Sequence, residues 1–365
     1  METKHRLIES FLRERISAGE YNTSGIIESE NLLANQFNVT RVTVRRALAT
    51  LEADGLIERK QGKATKLSGD AAFYRGRLYS RVGVISLADE YDIFEPMQQG
   101  VVSQLEAFGY EVILLPCEES AQRERACLNK LLDQHLDGLV IEGIVTGMPT
   151  PNIDIYHRIT DIKLPIVFMD GYHANVRAAH ILVNDHDITQ EMVRHLAGLG
   201  HTRIGGIFCM TQMQGILRYQ GFLDGLRENG LEYCDDRVLL LTTRDRKQVF
   251  DNLYNAYRSS ILNATAMVCY SDFFAHYLAI TLLRDGVMVP DQISVTGLDD
   301  ARLSLYGRLR LTTAVHPKDA MGRKAAQMLH TMITTRRCVG DEVMDMTFVP
   351  GNTTAKVPAT TDSTG

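Results

Sequence analysis

The sequence is poor in the features that mark exported, membrane-spanning and metal-binding chains. Its opening residues, METKHRLIESFLRERI, interrupt every apolar run with charge, which excludes both the apolar centre of a secretory leader and a spanning helix. The expected compartment is therefore the cytoplasm. The six cysteines, Cys117, Cys127, Cys209, Cys234, Cys269 and Cys338, form no C-x-x-C pair and mostly sit in or beside apolar runs, so reduced, buried thiols are expected. His195 and His201 lack the i, i+4 spacing of a zinc-binding helical pair, and Asp185-His186-Asp187 is only a local cluster; no metal is expected. There is no G-x-S-x-G elbow, and the adjoining Asp299 and Asp300 would diverge at a strand end. Gly198-Leu199-Gly200 follows a helix rather than a strand, and Gly62-Lys63-Ala64-Thr65 lacks the glycine and strand of a phosphate loop. No catalytic set and no cofactor is expected. A net charge of -6 also excludes a protein that coats nucleic acid indiscriminately, while leaving room for a small module with locally concentrated cations.

What is present begins with length: 365 residues and 45% hydrophobic content suffice for two or three domains with full cores. Leu7, Ile8, Phe11, Leu12 and Ile16 recur at helical spacing, so 4–18 reads as an amphipathic helix stopped by Gly19. Ser29 is a candidate N-cap for a second helix with Leu32, Leu33 and Phe37 on its apolar face, and Asn38 supplies the turn. Thr40 is placed to cap a third helix over 39–54, in which Val42, Val44, Leu48 and Leu51 are expected to face the core. Arg41, Thr43, Arg45 and Arg46 then cluster at a helix start, where side chains reach phosphates and base edges. Two short strands, 57–60 and 64–67, with Gly62 at the turn and Lys63 at the tip, complete a basic hairpin.

This order resembles the winged helix-turn-helix of GntR-type bacterial regulators. Ser29-Glu30, the run from Thr40 to Leu48, Leu51-Glu52-Ala53-Asp54-Gly55-Leu56 and Gln61-Gly62-Lys63 stand where that family's pattern has them. The resemblance implies a DNA-binding domain over 1–70, with Ser29, Glu30, Thr40, Arg41, Thr43, Arg45, Arg46, Gly62 and Lys63 at operator DNA. Two departures accompany it: Glu28 where a proline is common, and Ala64 in place of a frequent second wing glycine.

Residues 71–80 read as a linker, glycine- and charge-bearing without periodicity. From Arg81 to about 350, near-continuous apolar strands alternate with helices, the pattern of parallel sheets covered on both faces. The fold class is α/β. The Thr-rich, apolar-poor stretch 351–365 reads as a disordered tail.

Val183-Asn184-Asp185, the run from Leu196 to Gly205, Arg218-Tyr219-Gln220-Gly221-Phe222, the run from Val289 to Asp300 and Leu311-Thr312-Thr313 resemble the effector domain of LacI/GalR-type regulators. That resemblance implies a two-lobed, periplasmic-binding-protein-like domain over 81–350 with a small sugar effector between the lobes, and a homodimer on paired half-sites. Arg218, Asp272 and Asp299 fall at motif positions for ligand contact, and Tyr91, Phe94 and Asp170 follow strands in the other lobe. Sugars are held by charged and amide groups at strand ends with aromatic rings against their C–H faces. A GntR-type head on such a body is similar to arabinose-responsive repressors, so L-arabinose or a related pentose is the expected ligand. The competing reading is a GntR-type head fused to a pyridoxal-phosphate-dependent enzyme-like domain, which needs a lysine poised as an internal aldimine.

Overall fold

The structure, a computed structural model, describes residues 4–21, 24–60, 63–68, 78–87, 95–242, 254–300 and 309–357. The head is built from α1 (Lys4–Ser17), α2 (Glu30–Gln36), α3 (Arg41–Ala53) and an antiparallel pair, β1 (Ile57–Glu58) with β2 (Lys66–Leu67). Ser29 and Thr40 cap α2 and α3, accepting from Leu32 N and Thr43 N. Each such cap satisfies an orphan amide at about 1 kcal/mol. The core collects Ile8, Leu12 and Ile16 of α1, Leu33 of α2, and Val44, Leu48 and Leu51 of α3.

One position differs from the expected stripe: Val42 is 67% exposed, and Ala47 takes the core place instead. The apolar stripe is Val44, Ala47, Leu48 and Leu51, at i, i+3, i+4 and i+7, and a residue two before its first member points the opposite way. The wing strands are also shorter than expected, and Gly62 lies outside the described residues. Glu28, the departure from the proline pattern, closes the entry to α2 by accepting from Arg15 and from the Tyr21 hydroxyl at 2.6 Å.

The body holds two parallel sheets. In the first lobe the spatial order is β13 (Glu342–Met344), β7 (Ala179–Val183), β6 (Ile166–Met169), β5 (Gly138–Glu142), β3 (Arg81–Leu87) and β4 (Glu111–Cys117). Helices α4 (Glu95–Ala107), α5 (Ala121–Leu132), α6 (Ile153–Asp161) and α11 (Lys318–Thr335) belong to it, with α11 packed on β5 to β7 and on α4. In the second lobe β11 (Ser294–Thr296), β10 (Ala266–Cys269), β8 (Ile204–Cys209) and β9 (Val238–Leu241) lie in that order. Its helices are α7 (Asp185–Gly198), α8 (Met213–Glu228), α9 (Tyr254–Leu262) and α10 (Asp272–Arg284). An antiparallel pair, β12 (Thr313–Val315) with β14 (Thr347–Val349), runs between them. The strands are buried end to end in β5, β6, β8 and β10, as a sheet covered on both faces requires.

Two expectations at the domain edges need correction. Leu78 and Tyr79, placed in the linker, are tied to the first lobe: both amides donate to Asp137, at 2.7 and 3.1 Å. Residues 351–357 are not a loose tail either. Thr353 is fully buried, donates to Val295 O at 2.7 Å and accepts from Thr312 N at 2.9 Å, while Ala355 O meets His201 Nε2 at 3.0 Å. Threonine suits such a strap because its hydroxyl bonds the neighbouring backbone, so low apolar content alone misjudged it. Residues 358–365 lie outside the described residues.

The head meets the first lobe through arginines. Arg13 of α1, 3% exposed, donates to Leu78 O at 2.6 Å and lies over the Tyr79 ring at 5.0 Å. Arg336, in the left-handed conformation that ends α11, donates to Ser17 Oγ of α1 at 2.9 Å.

Candidate functional site

At the head, the first turn of α3 carries Arg41 and Arg45, with side chains 56% and 54% exposed. Both turn to Glu30, the first residue of α2: Arg41 Nη2 stands 3.2 Å and Arg45 Nε 2.9 Å from its carboxylate, and Arg59 of the wing reaches it at 3.1 Å. Burial acts to raise the Glu30 pKa, but the arginines outweigh it and hold the carboxyl below its usual range. One carboxylate therefore gathers two α3 arginines and one wing arginine on a single face. Arg46 and Lys63 are exposed beside them. Ser29, Thr40 and Thr43 are engaged in capping, with Thr40 and Thr43 hydroxyls 3.1 Å apart. Arg59 was not singled out by sequence; its place after β1 is the signal that would have found it.

In the body a cavity of about 740 Å³ opens between the lobes. Its walls include Glu142 at the end of β5, Asp170 after β6, Tyr270 after β10 and Arg218 on α8. These are carboxyl ends of parallel strands and a helix start, the ordinary position for ligands in open α/β sheets. Arg218 is 2% exposed and saturated by its own chain: Nε donates to Asp185 at 2.6 Å, Nη2 to Asp299 at 2.9 Å, and Nη1 to the Tyr270 carbonyl. Burial pushes the Asp185 carboxyl up to about 6 although Arg218 opposes it. At Asp299 burial also pushes upward, but Arg218, His316 and Lys318 prevail and the carboxyl stays below its usual value.

The lobes touch beside this cavity. Thr146 Oγ1 of the first lobe accepts from Met213 N at 2.9 Å and lies 3.3 Å from Gln212 Oε1. Gly147 N donates to Thr211 O at 2.9 Å, and a Cβ on Gly147 would stand 2.5 Å from Met210 O.

Of the sequence candidates, Asp170, Arg218 and Asp299 line the cavity together. Asp272 does not. It lies under the floor as the first residue of α10, where its Oδ1 accepts from Thr313 Oγ1 at 2.6 Å, and its neighbour Ser271 lines the wall instead. Because Asp272 opens a helix, its carboxylate meets the adjacent strand rather than the cleft. Tyr91 and Phe94 lie outside the described residues. Sequence reasoning missed Glu142, Gln214, Tyr270, His316 and Lys318. The strand-end rule pointed at Glu142 and Tyr270, whereas His316 and Lys318 precede a helix that the apolar pattern did not reveal.

Among the described residues there is no cluster of His, Cys, Asp or Glu suited to a metal, and no helix long and apolar enough to cross a membrane. Comparison with known proteins places both modules. Residues 5–67 match the family described as "Bacterial regulatory proteins, gntR family", and residues 193–354 match "Periplasmic binding protein-like domain". This second match leaves no place for a pyridoxal-phosphate domain. The chain is 29% identical over 342 residues to the arabinose metabolism transcriptional repressor of Halalkalibacterium halodurans, covering 92% of this chain and 91% of that protein. It is 29% identical over 346 residues to the protein of the same name from Geobacillus stearothermophilus, covering 94% and 95%. Among solved structures, a LacI family transcriptional regulator from Mycobacterium smegmatis superposes with a TM-score of 0.66 at 22% identity, over 76% of this chain and 100% of that one. The chain is thus a transcriptional regulator that joins a gntR-family DNA-binding head to a periplasmic-binding-protein-like body of the LacI type.

Proposed function

We propose that this regulator acts in the cytoplasm as a sugar-responsive repressor, bound to operator DNA as a homodimer and released by a small uncharged sugar such as L-arabinose. The observation that carries the reading is the cavity's charge. Its wall presents Glu119, Glu142, Asp170 and Asp299 against only Arg218 and Lys318. Arg218 is spent on Asp185 and Asp299, and Lys318 Nζ donates to the Asp299 carbonyl. A phosphate or carboxylate entering would meet uncompensated like charge in a low-dielectric cleft. A polyhydroxylated neutral ligand meets acceptors for its hydroxyls and the Tyr270 and Phe274 rings for its C–H faces. The relatives named for arabinose metabolism support the same ligand class.

At the head, Arg41 and Arg45 reach bases or phosphates from the start of α3, with Arg46 and Lys63 on the backbone. Two heads are needed for paired half-sites about one helical turn apart. A sugar that binds one arrangement of the dimer better than another shifts the population toward it; equal affinity for both would shift nothing. The test is fluorescence anisotropy of labelled operator DNA with full-length protein. L-arabinose is expected to release the DNA and its 5-phosphate is not; release by the phosphate at equal or lower concentration would overturn the reading.

A further inference from the structure

Two polar atoms at the cavity have no hydrogen-bond partner among the described residues: Nδ1 of His316, a residue 7% exposed, and Oε1 of Gln214. Both atoms are themselves shielded from bulk solvent. Buried polar groups are nearly always paired, so two orphans on the wall of one cavity mark where a ligand supplies what the chain does not. Their chemical identity is fixed by a third residue. Asp170 Oδ1 lies 3.2 Å from His316 Nε2, and Asp170 Oδ2 lies 3.1 Å from Gln214 Nε2, which also donates to the Asp170 carbonyl.

A carboxylate and a carbonyl only accept. His316 must therefore place its N–H on Nε2, and Gln214 must turn its amide nitrogen toward Asp170. The opposite atoms, Nδ1 and Oε1, are left as bare lone-pair acceptors. His316 precedes α11 of the first lobe and Gln214 lies on α8 of the second, so the two acceptors face the cavity from opposite sides of the cleft.

We infer that Asp170 is a positioning residue rather than a ligand contact, and that His316 Nδ1 and Gln214 Oε1 form an acceptor-only clamp that reads hydroxyl hydrogens of the effector across the closed cleft. The clamp rests on the sugar-binding reading above and adds its direction: the ligand must donate at this point. A carbonyl, an ether oxygen or a phosphate oxygen there would face lone pairs with lone pairs. Because the two acceptors belong to different lobes, a hydroxyl set that satisfies both holds the cleft shut.

The test is calorimetric titration of the full-length protein with L-arabinose, D-ribose, D-xylose and D-galactose, alongside thermal melts without sugar. For the sugar that the wild type binds most tightly, His316→Phe and Asp170→Asn should weaken binding roughly tenfold or more while the melts report a folded protein. Asp170→Asn keeps the shape but turns a donor toward one partner, forcing that partner to flip. His316→Asn, whose side-chain oxygen falls near the Nδ1 position, should recover much of the loss. Unchanged affinity in His316→Phe, or equal weakness in the Asn and Phe variants, overturns the clamp and leaves sugar binding standing. If the wild type binds none of the four sugars, the sugar reading fails and the clamp with it. Should a variant not fold, the wild type decides: replacing each hydroxyl of the bound sugar in turn by fluorine, which does not donate, must cost roughly tenfold at one position or more. No loss at any position refutes the inference.

Discussion

Asp299 delivers its carboxylate to Arg218 Nη2 at 2.9 Å from a backbone conformation, φ 98°, that L-residues rarely adopt. Strain of this kind costs about 1–3 kcal/mol and persists only where surrounding contacts over-determine it. Here the Arg218 pair and the Lys318 donor to the Asp299 carbonyl do so.

Asp299→Gly is accordingly expected to relieve the backbone and still destabilise the protein. It leaves Arg218 buried with Asp185 as its remaining carboxylate partner, and breaking one side of a buried ionic group costs about 3–5 kcal/mol. Thermal melts and sugar titration check this. A melting temperature above wild type would show that the strain, not the ion pair, dominates.

Asp185 gives a pH signature. Its folded value, about 6, lies above the roughly 3.9 of an unfolded aspartate, so the folded state holds the proton more tightly. Its contribution is then full below about pH 4 and is lost as pH climbs through about 6, amounting to about 3 kcal/mol over the window. Asp299, held low, acts in the opposite sense and below that window, losing its contribution as pH falls through its depressed value. Asp185→Asn keeps an acceptor for Arg218 Nε and removes the titration. Denaturant unfolding of both proteins from pH 4 to pH 6.5 should show wild type falling relative to the variant; parallel curves would refute the assignment.

At the head, Arg45→Ala should leave stability within about 1 kcal/mol, because its pair with Glu30 is solvent-exposed. Operator affinity should fall by roughly 1–3 kcal/mol if Arg45 reads a base edge. Lys63→Ala should instead lower affinity evenly across sequences and reduce the salt slope by about one. Anisotropy titrations at several salt concentrations separate the two; an Arg45→Ala protein with wild-type specificity would remove that residue from the readout.

Gly147 permits the lobes to meet. A valine there would bring a Cβ to 2.5 Å from Met210 O and cannot be accommodated without parting the lobes. Gly147→Val should therefore enlarge the radius of gyration in small-angle scattering and weaken sugar binding. The melting temperature of the lobes should change little, since each keeps its own sheet and core. Unchanged scattering with weakened binding would show local damage instead of opening.

How much of this was written in the chain varies by element, for physical reasons. The head was legible because its signals are local: caps at Ser29 and Thr40, a 3.6-residue stripe, and cations at a helix start. The parallel strands were legible because burial on both faces makes them continuous apolar runs. Helix α11 was not, since its buried face is built of Met, Ala and Gly, with Gly322 set against the Met97 carbonyl, a pattern of close packing rather than of strong hydrophobicity. With it went His316 and Lys318. Asp170 was placed correctly at the cavity, but the occupation of both its carboxylate oxygens by neighbours distant in sequence depends on lobe geometry that spacing does not encode.

Helix α11 also has a mechanical property. It starts beside the cavity at Lys318 and ends where Arg336 meets Ser17 of the head. Eighteen residues at 1.5 Å each make an arm of about 27 Å, so a tilt of about 5° at the sugar end sweeps the far end through about 2 Å. That displacement exceeds the tolerance of the 2.9 Å hydrogen bond waiting there. Leverage, more than direct contact, sets how small a rearrangement at the cavity is felt by the head.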